Sequence, residues 1–286
     1  MQCEGPLEQA PCEAILNVCG LAFGYTSSHT LKDVNITAQK GEFISLMGPN
    51  GSGKTTLMRC INKILRIQGG SVEIDGNDTL GLSRDSISRL CTTVPADIPT
   101  DFSLNTRDFV MLGRSPYITN IWWESEEDHD IVEKAMWDFG ILHYSERKLH
   151  ELSSGERARA LLAKGVVQMP KLMMVDEPSA HLDLKYKVQV MEMLRGLSKS
   201  GITVIMASHD INLVTRYSDK IMMLSDGRIV SYGRPDEVIT KDSIKEVFNI
   251  DVKVIVDEGV PYVIPSPPTH DDVGFQIDLH DADERY

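Results

Sequence analysis

The stretch Gly48-Pro49-Asn50-Gly51-Ser52-Gly53-Lys54-Thr55 constrains this chain more than any other. The apolar run Phe43-Ile44-Ser45-Leu46-Met47 precedes it and the helical pattern Thr56-Leu57-Met58-Arg59-Cys60-Ile61 follows, so it reads as strand, glycine loop, helix. Glycines let a backbone wrap closely round an anion with successive N–H groups pointing inward, and the helix N-terminus behind the loop adds a positive dipole. Lys54 is placed to reach terminal phosphates, and the hydroxyl of Thr55, one residue on, to ligate a magnesium ion. At ordinary residue frequencies the G-x-x-x-x-G-K-[ST] pattern arises by chance in about one chain of this length in a hundred. The expectation is a nucleoside triphosphate site, against a plain glycine-rich turn that carries a lysine.

Composition narrows the rest. With 286 residues, 42% hydrophobic and 25% charged, the chain can bury one large core or two modest ones. No apolar run approaches the roughly 18 residues needed to span a bilayer, and the N-terminus has neither a basic start nor an apolar signal core. A cytosolic chain that is not itself a pore is expected. The net charge of -13 argues against a nucleic-acid partner, although six acids against Arg285 in the acidic tail supply part of it. The five cysteines (Cys3, Cys12, Cys19, Cys60, Cys91) show no C-x-x-C spacing and are expected to be reduced thiols, with metal binding a distant second reading.

Residues 13–25 and 30–37 read as strands paired across a polar turn, a small antiparallel sheet ahead of the core. Tyr25, at the end of the first, is placed either to stack on a purine or simply to pack. Residues 71–74 read as a strand before the Asp75-Gly76 turn, followed by a short helix with Ile87 and Leu90 and a buried strand ending Val94-Pro95. From Ala96 to about His150 the pattern turns helical, over 106–113 and 126–140, where Ile131, Val132, Ala135, Met136 and Phe139 recur at helical spacing. This is a helical insertion in an α/β domain. Its Trp122-Trp123 pair is either subdomain core or part of a docking face.

Leu152-Ser153-Ser154-Gly155-Glu156 then caps a helix running to Gln168. The apolar strand Leu172-Met173-Met174-Val175 ends in two adjacent carboxylates, Asp176 and Glu177; acids at the C-terminal edge of a parallel strand sit where open α/β sheets bind ligands. A helix to Ser200 leads to the buried strand 202–207, which ends Ser208-His209-Asp210. Taken alone, His209 reads more simply as a loop hydrogen-bonder than as a reactive group. Asp226-Gly227 marks a hairpin. Short helices over 235–240 and 243–248 and a second hairpin through Gly259 complete the fold, and beyond Pro265-Ser266-Pro267-Pro268 an acidic, apolar-poor tail is expected to be disordered or loosely held.

The phosphate loop, the S-x-G-E helix start, the strand ending Asp-Glu and the later strand ending in His resemble, in this order, the ATP-binding subunits of ABC transporters over roughly residues 13–256. The resemblance implies a P-loop NTPase fold of the α/β class: an ABC-type ATPase core with an antiparallel β subdomain (13–95 and 159–235), an inserted helical subdomain with the signature (96–158), C-terminal helices and hairpin (236–264) and the tail (265–286). It implies that ATP and Mg2+ are the cofactors. Gly48, Pro49, Asn50, Gly51, Ser52, Gly53, Lys54, Thr55 and Thr56 would form the Walker A loop, and Tyr25 falls where the family stacks adenine. Thr55 and Asp176 would hold the metal, Glu177 would polarise the attacking water, and His209 would contact the γ-phosphate beside Lys54. Ser153 and Gly155 would act across a dimer, on nucleotide bound to a second copy of the chain.

The family also implies transmembrane permease subunits, an extracytoplasmic substrate-binding protein and a peripheral position on the cytoplasmic face of the membrane. The wording Met111-Leu112-Gly113-Arg114 and His209-Asp210-Ile211-Asn212-Leu213 is similar to that of importers for iron chelates and cobalamin. Two positions depart from the pattern. Ala96 stands where the family places a magnesium-sensing glutamine, so either Asp97 reaches the ion through a water or coupling is weakened. Ser154 replaces a usual glycine, at a cost of order 1 kcal/mol if the position needs glycine's conformational freedom or a close approach to phosphate. These departures leave open a nucleotide-binding subunit with weakened turnover. A non-transport ABC ATPase would instead carry a coiled-coil insertion, a second ATPase unit or a basic face, and the sequence has none of these.

Overall fold

The computed structural model describes residues 14–26, 29–96, 103–118, 124–178 and 182–267. β1 (Ala14–Phe23) and β2 (Leu31–Gln39) pair antiparallel, and beyond a register shift between Leu31 and Val34 β2 alternates buried Val34, Ile36 and Ala38 with polar positions, as a strand with one wet face should. β3 (Phe43–Met47) is buried throughout and runs through the glycine loop into α1 (Lys54–Ile61). β4 (Gly69–Ile74) adds to the other side of β1 and turns back into the two-residue β5 (Asn77–Asp78), giving the sheet order β2-β1-β4-β5. α2 (Arg84–Leu90), capped by Ser83, leads to β6 (Cys91–Val94).

α3 (Thr106–Met111) and α4 (Glu126–Asp138) form the helical region, and α5 (Ser154–Val167) packs against both before its far end meets β6. The remaining elements alternate: β7 (Leu172–Asp176), α6 (Leu184–Lys199), β8 (Thr203–Ala207), α7 (Ile211–Tyr217) and β9 (Lys220–Ser225). β9 turns into β10 (Arg228–Gly233) through Asp226-Gly227, both at positive φ, the geometry that matches the twist of a two-residue hairpin. α8 (Pro235–Val238), α9 (Lys241–Phe248) and the hairpin of β11 (Val252–Asp257) and β12 (Val260–Pro265) follow.

The central sheet has the order β10-β9-β3-β8-β7-β6, parallel except for β10. Its inner strands β3, β7, β8 and β9 are mainly apolar because both faces are covered. Val204 and Met206 of β8, with Met173 and Val175 of β7, face the cluster built by α3 to α6 and the C-terminal elements. Ile205, Ala207, Leu172 and Met174 face the opposite cluster, shared with α1, α2 and the antiparallel sheet. Because β3, β8, β7 and β6 are parallel neighbours, the loops that leave them lie along one edge of the sheet, and that edge carries the functional residues.

Several expectations change. Cys19 is disulfide-bonded, so the cysteines are not all reduced thiols, whereas Cys60 and Cys91 are free and buried, with their thiols pushed up to about 12 by desolvation. Ser154 is the first residue of α5 and has no positive φ, so the position makes no conformational demand for glycine. The expected boundary at 158/159 falls inside α5, one continuous helix that serves both the helical region and the sheet. Asp97, Trp122-Trp123 and the tail from Pro268 on lie outside the described residues.

Candidate functional site

The loop after β3 is shaped by its glycines. A Cβ at Gly48 would lie 2.1 Å from the carbonyl oxygen of Leu224, so only glycine fits between the loop and β9. Gly53 caps α1 with φ 108°, a left-handed conformation that glycine adopts without steric cost. Lys54 opens the helix and is buried to 6% exposure, donating from Nζ to the carbonyl oxygens of Gly48 (2.8 Å) and Pro49 (3.1 Å). Burial lowers its pKa, and the nearby charges of Glu177 and Asp176 oppose that shift. The Ser52 hydroxyl is buried without a hydrogen-bond partner. An orphaned donor in a glycine loop that Gly48 lets pack tightly against β9 suits a phosphate that accepts hydrogen bonds.

β7 delivers the second part. The Thr55 hydroxyl donates to Asp176 Oδ2 at 2.9 Å, joining residues 121 positions apart in sequence. Two hard oxygen donors at that separation suit magnesium, which keeps waters and phosphate oxygens in its shell and needs no protein cage. Among the described residues, no group of three or more His, Cys, Asp or Glu forms such a cage.

Glu177, one residue past β7, has φ 49°, a left-handed conformation that costs a non-glycine residue on the order of 1 kcal/mol or more. Its backbone is held by donation from its N–H to the Ala207 carbonyl at 3.1 Å. Its Oε1 lies 2.6 Å from His209 Nε2, which comes from the end of β8. A cleft of about 320 Å³ joins Glu177 to Asn50, Gly51, Gly53, Lys54 and Thr55. Its chemistry matches in-line attack by water on a terminal phosphoryl group: cation and amides on one side, a carboxylate that can orient water on the other.

The other expected residues are placed differently. Tyr25 stands at the rim, 59% exposed, with its hydroxyl 3.4 Å from Thr56 Oγ1 and its ring edge-on to Phe23 at 5.0 Å. Ser153 caps α5 in a reciprocal box with Glu156: its N–H donates to Glu156 Oε2 at 2.8 Å, and its Oγ accepts from the Glu156 N–H at 3.4 Å. Ser153 is exposed, Gly155 is buried against Tyr186, and neither lines the cleft of its own chain. Ala96, after β6, is exposed. Thr30, which lines the cleft, was not anticipated, because it arrives from the turn between β1 and β2 and has no distinguishing pattern. α7 was also missed, although Asp210 before Ile211 and Val214 is a legible helix start.

Known proteins resemble this chain over most of its length. A family model described as ABC transporter matches residues 31–180. The chain is 37% identical over 252 residues to an uncharacterized ABC transporter ATP-binding protein of Methanocaldococcus jannaschii, covering 88% of this chain and 98% of that one. It is 34% identical to a cobalamin import ATP-binding protein of Halobacterium salinarum, covering 88% of this chain and 63% of the relative. It is 32% identical to an iron(3+)-hydroxamate import ATP-binding protein of Bacillus subtilis, covering 83% and 88%. Among solved structures, part of an ABC transporter complex from Clostridium perfringens matches with TM-score 0.71 at 31% identity, covering 82% of this chain and 94% of that one. A structure described as of metal-chelate transporter type, in an inward-facing conformation, shares the fold with TM-score 0.78 at 23% identity, covering 89% and 98%.

Proposed function

The chain belongs to the ABC transporter family as an ATP-binding, ATP-hydrolysing subunit, and from that premise we propose that it powers a membrane permease importing an iron chelate or cobalamin. The observation that carries the ATPase reading is the meeting of three sheet-edge loops: Lys54 in its glycine cradle, the Thr55–Asp176 pair at 2.9 Å and the Glu177–His209 pair at 2.6 Å. The substrate class rests on the names of the cobalamin and iron-hydroxamate relatives.

In this reading the amides of Gly48 to Thr56 and Lys54 hold the β- and γ-phosphates, and Tyr25 stacks on adenine from the rim. Thr55 and Asp176 would hold a magnesium ion, which would supply charge neutralisation at the phosphates. Glu177 orients the attacking water, and His209 hydrogen-bonds the γ-phosphate as charge develops. Neither side chain forms a covalent bond to the phosphoryl group. Ser153 and Gly155 complete the site of a second copy, so the working unit is a nucleotide-sandwich dimer bound to permease subunits on the cytoplasmic face of the membrane, with an extracytoplasmic binding protein delivering substrate. The chain divides into a core (13–95 and 159–235), a helical subdomain (96–158) that shares α5 with the core, and a C-terminal unit (236–264).

A second reading, a nucleotide-binding subunit with weakened turnover, draws on Ala96, whose methyl group cannot ligate a metal where the family places its sensor. Phosphate release by the purified chain, alone and with its permease in vesicles, separates the two. Turnover that rises on adding permease and transport substrate supports the import ATPase. Nucleotide binding without release under both conditions refutes it in favour of the second reading.

A further inference from the structure

His209 occupies a short turn between two elements of unequal rigidity. β8 before it is fully buried, with neighbours on both sides, whereas α7 after it has seven residues, too few to hold a helix by its own hydrogen bonds. The turn itself is closed locally: the Asp210 N–H donates to Ser208 Oγ at 3.1 Å, and Asp210 Oδ1 accepts from the Leu213 N–H at 3.2 Å. Where His209 points relative to Glu177 therefore depends on what fixes the first turn of α7.

One fixture is Lys187 of α6, whose Nζ lies 3.6 Å from Asp210 Oδ2; a second comes from the far end of the chain. Asn212, in the first turn of α7, accepts from the Val263 N–H at 2.8 Å through Oδ1 and donates from Nδ2 to the Val263 carbonyl at 3.2 Å. Val263 faces Val254 across the β11–β12 ladder, and both of its backbone groups point away from β11 to the free edge of β12. The carboxamide pairs with that edge as a neighbouring strand would. Asparagine is a weak helix former, and its side chain here forms no cap of its own helix. A second link, from Arg216 Nη1 to the Tyr262 hydroxyl at 3.2 Å, joins the same helix to the same strand. Between α7 and the hairpin, a cavity of about 580 Å³ runs from Glu177 and His209 to Val263 and Pro265.

We propose that Asn212 is a positioning residue: by its paired bonds to Val263 it lets the C-terminal hairpin set α7, and through α7 the orientation of His209 against Glu177. The proposal rests on the ATPase reading for its consequence, though not for its geometry. The test uses the full chain in four forms: wild type, Asn212→Ala, Val263→Pro and the double variant. Val263→Pro removes the N–H at an edge position that forms no ladder bond with β11, where proline is tolerated.

Each single variant is expected to lower kcat on the order of tenfold while KM for ATP stays within about twofold, and the double variant to be no slower than the slower single. Hydrogen exchange of nucleotide-free protein is expected to quicken in peptides covering 207–214 and to stay unchanged in those covering β7. Wild-type kcat in Asn212→Ala, multiplying losses in the double variant, or a fall in kcat matched by loss of the thermal unfolding transition would each overturn the proposal. Should the wild type itself release no phosphate, the ATPase reading fails, and unchanged exchange over 207–214 would then still overturn the positioning role.

Discussion

Glu177→Gln separates binding from chemistry, and the structure sets the size of both effects. The substitution preserves side-chain volume, leaves the left-handed backbone at φ 49° and keeps the N–H bond to Ala207, so the loop after β7 has no reason to move. It removes one negative charge. The contact with His209 is partly exposed, 32% for Glu177 and 41% for His209, so weakening it costs no more than about 1 kcal/mol. The Lys54 cradle and the Thr55–Asp176 pair do not touch the changed atoms directly. ATP affinity is therefore expected to change by less than about fivefold. Turnover is different. A positioned general base contributes a factor of about 10² to 10⁴, equivalent to roughly 2.7–5.5 kcal/mol of barrier. Phosphate release at saturating ATP and magnesium, set beside equilibrium binding of a fluorescent ATP analogue, gives the two numbers independently. Release within about tenfold of wild type, or affinity and turnover falling in equal proportion, refutes the assignment of Glu177.

The same variant carries a pH signature: burial lowers the Lys54 pKa while Glu177 and Asp176 hold it up, so removing the Glu177 charge shifts the loss of ATP binding at high pH to a lower pH, and coincident alkaline limbs would contradict this. With hydrolysis blocked, ATP and magnesium are expected to convert Glu177→Gln to a dimer in sedimentation, because exposed Ser153 otherwise has no phosphate to meet; monomer alone at saturating ATP sinks the sandwich arrangement. Gly155→Ala would place a Cβ 2.6 Å from Tyr186 Cδ1 and is expected to lower stability by about 1–3 kcal/mol, with Tyr186→Ala in the same chain recovering part of it; an unchanged melting temperature for Gly155→Ala counts against the packing argument. If Asp97 reaches magnesium through a water, Asp97→Ala raises the magnesium needed for half-maximal turnover and Ala96→Gln lowers it, whereas superimposed titrations of the three chains refute the substitution.

Much of the core was legible because burial on two faces leaves a simple mark. Leu172-Met173-Met174-Val175 and Val204-Ile205-Met206-Ala207 each alternate between two apolar clusters, so neither strand has a polar phase to hide it. Asp226-Gly227 was legible for a local reason, the backbone twist that a two-residue hairpin requires. Strand order was not legible, since nothing within β7 states that β8 is its neighbour. The Cys19 disulfide was missed because C-x-x-C spacing, a metal and redox signature, says nothing of other pairings. Asn212 gave no signal either, since its partner is a backbone 51 residues away and any residue but proline offers the same two groups.

The site divides along the same line. Residues that act through their own loop, Gly48 to Thr55, were legible as a contiguous pattern, and Asp176 and Glu177 because adjacent carboxylates ending an apolar strand are hard to explain as packing. His209 looked ordinary, for a histidine after a strand gains meaning only from what stands across from it. The parallel pairing of Asp176 with Ala207 brings the ends of β7 and β8 side by side, and the left-handed turn at Glu177 puts its carboxylate 2.6 Å from the imidazole. Ser154 is the opposite case, where a departure from a family pattern looked costly and the backbone removes the conformational part of that cost. In the first turn of α5 serine needs no special φ, and the helix start is already held by Ser153 and Glu156. What remains to distinguish serine from glycine there is the side chain it presents at an exposed helix N-terminus, which bears on what approaches that end and not on whether the helix forms.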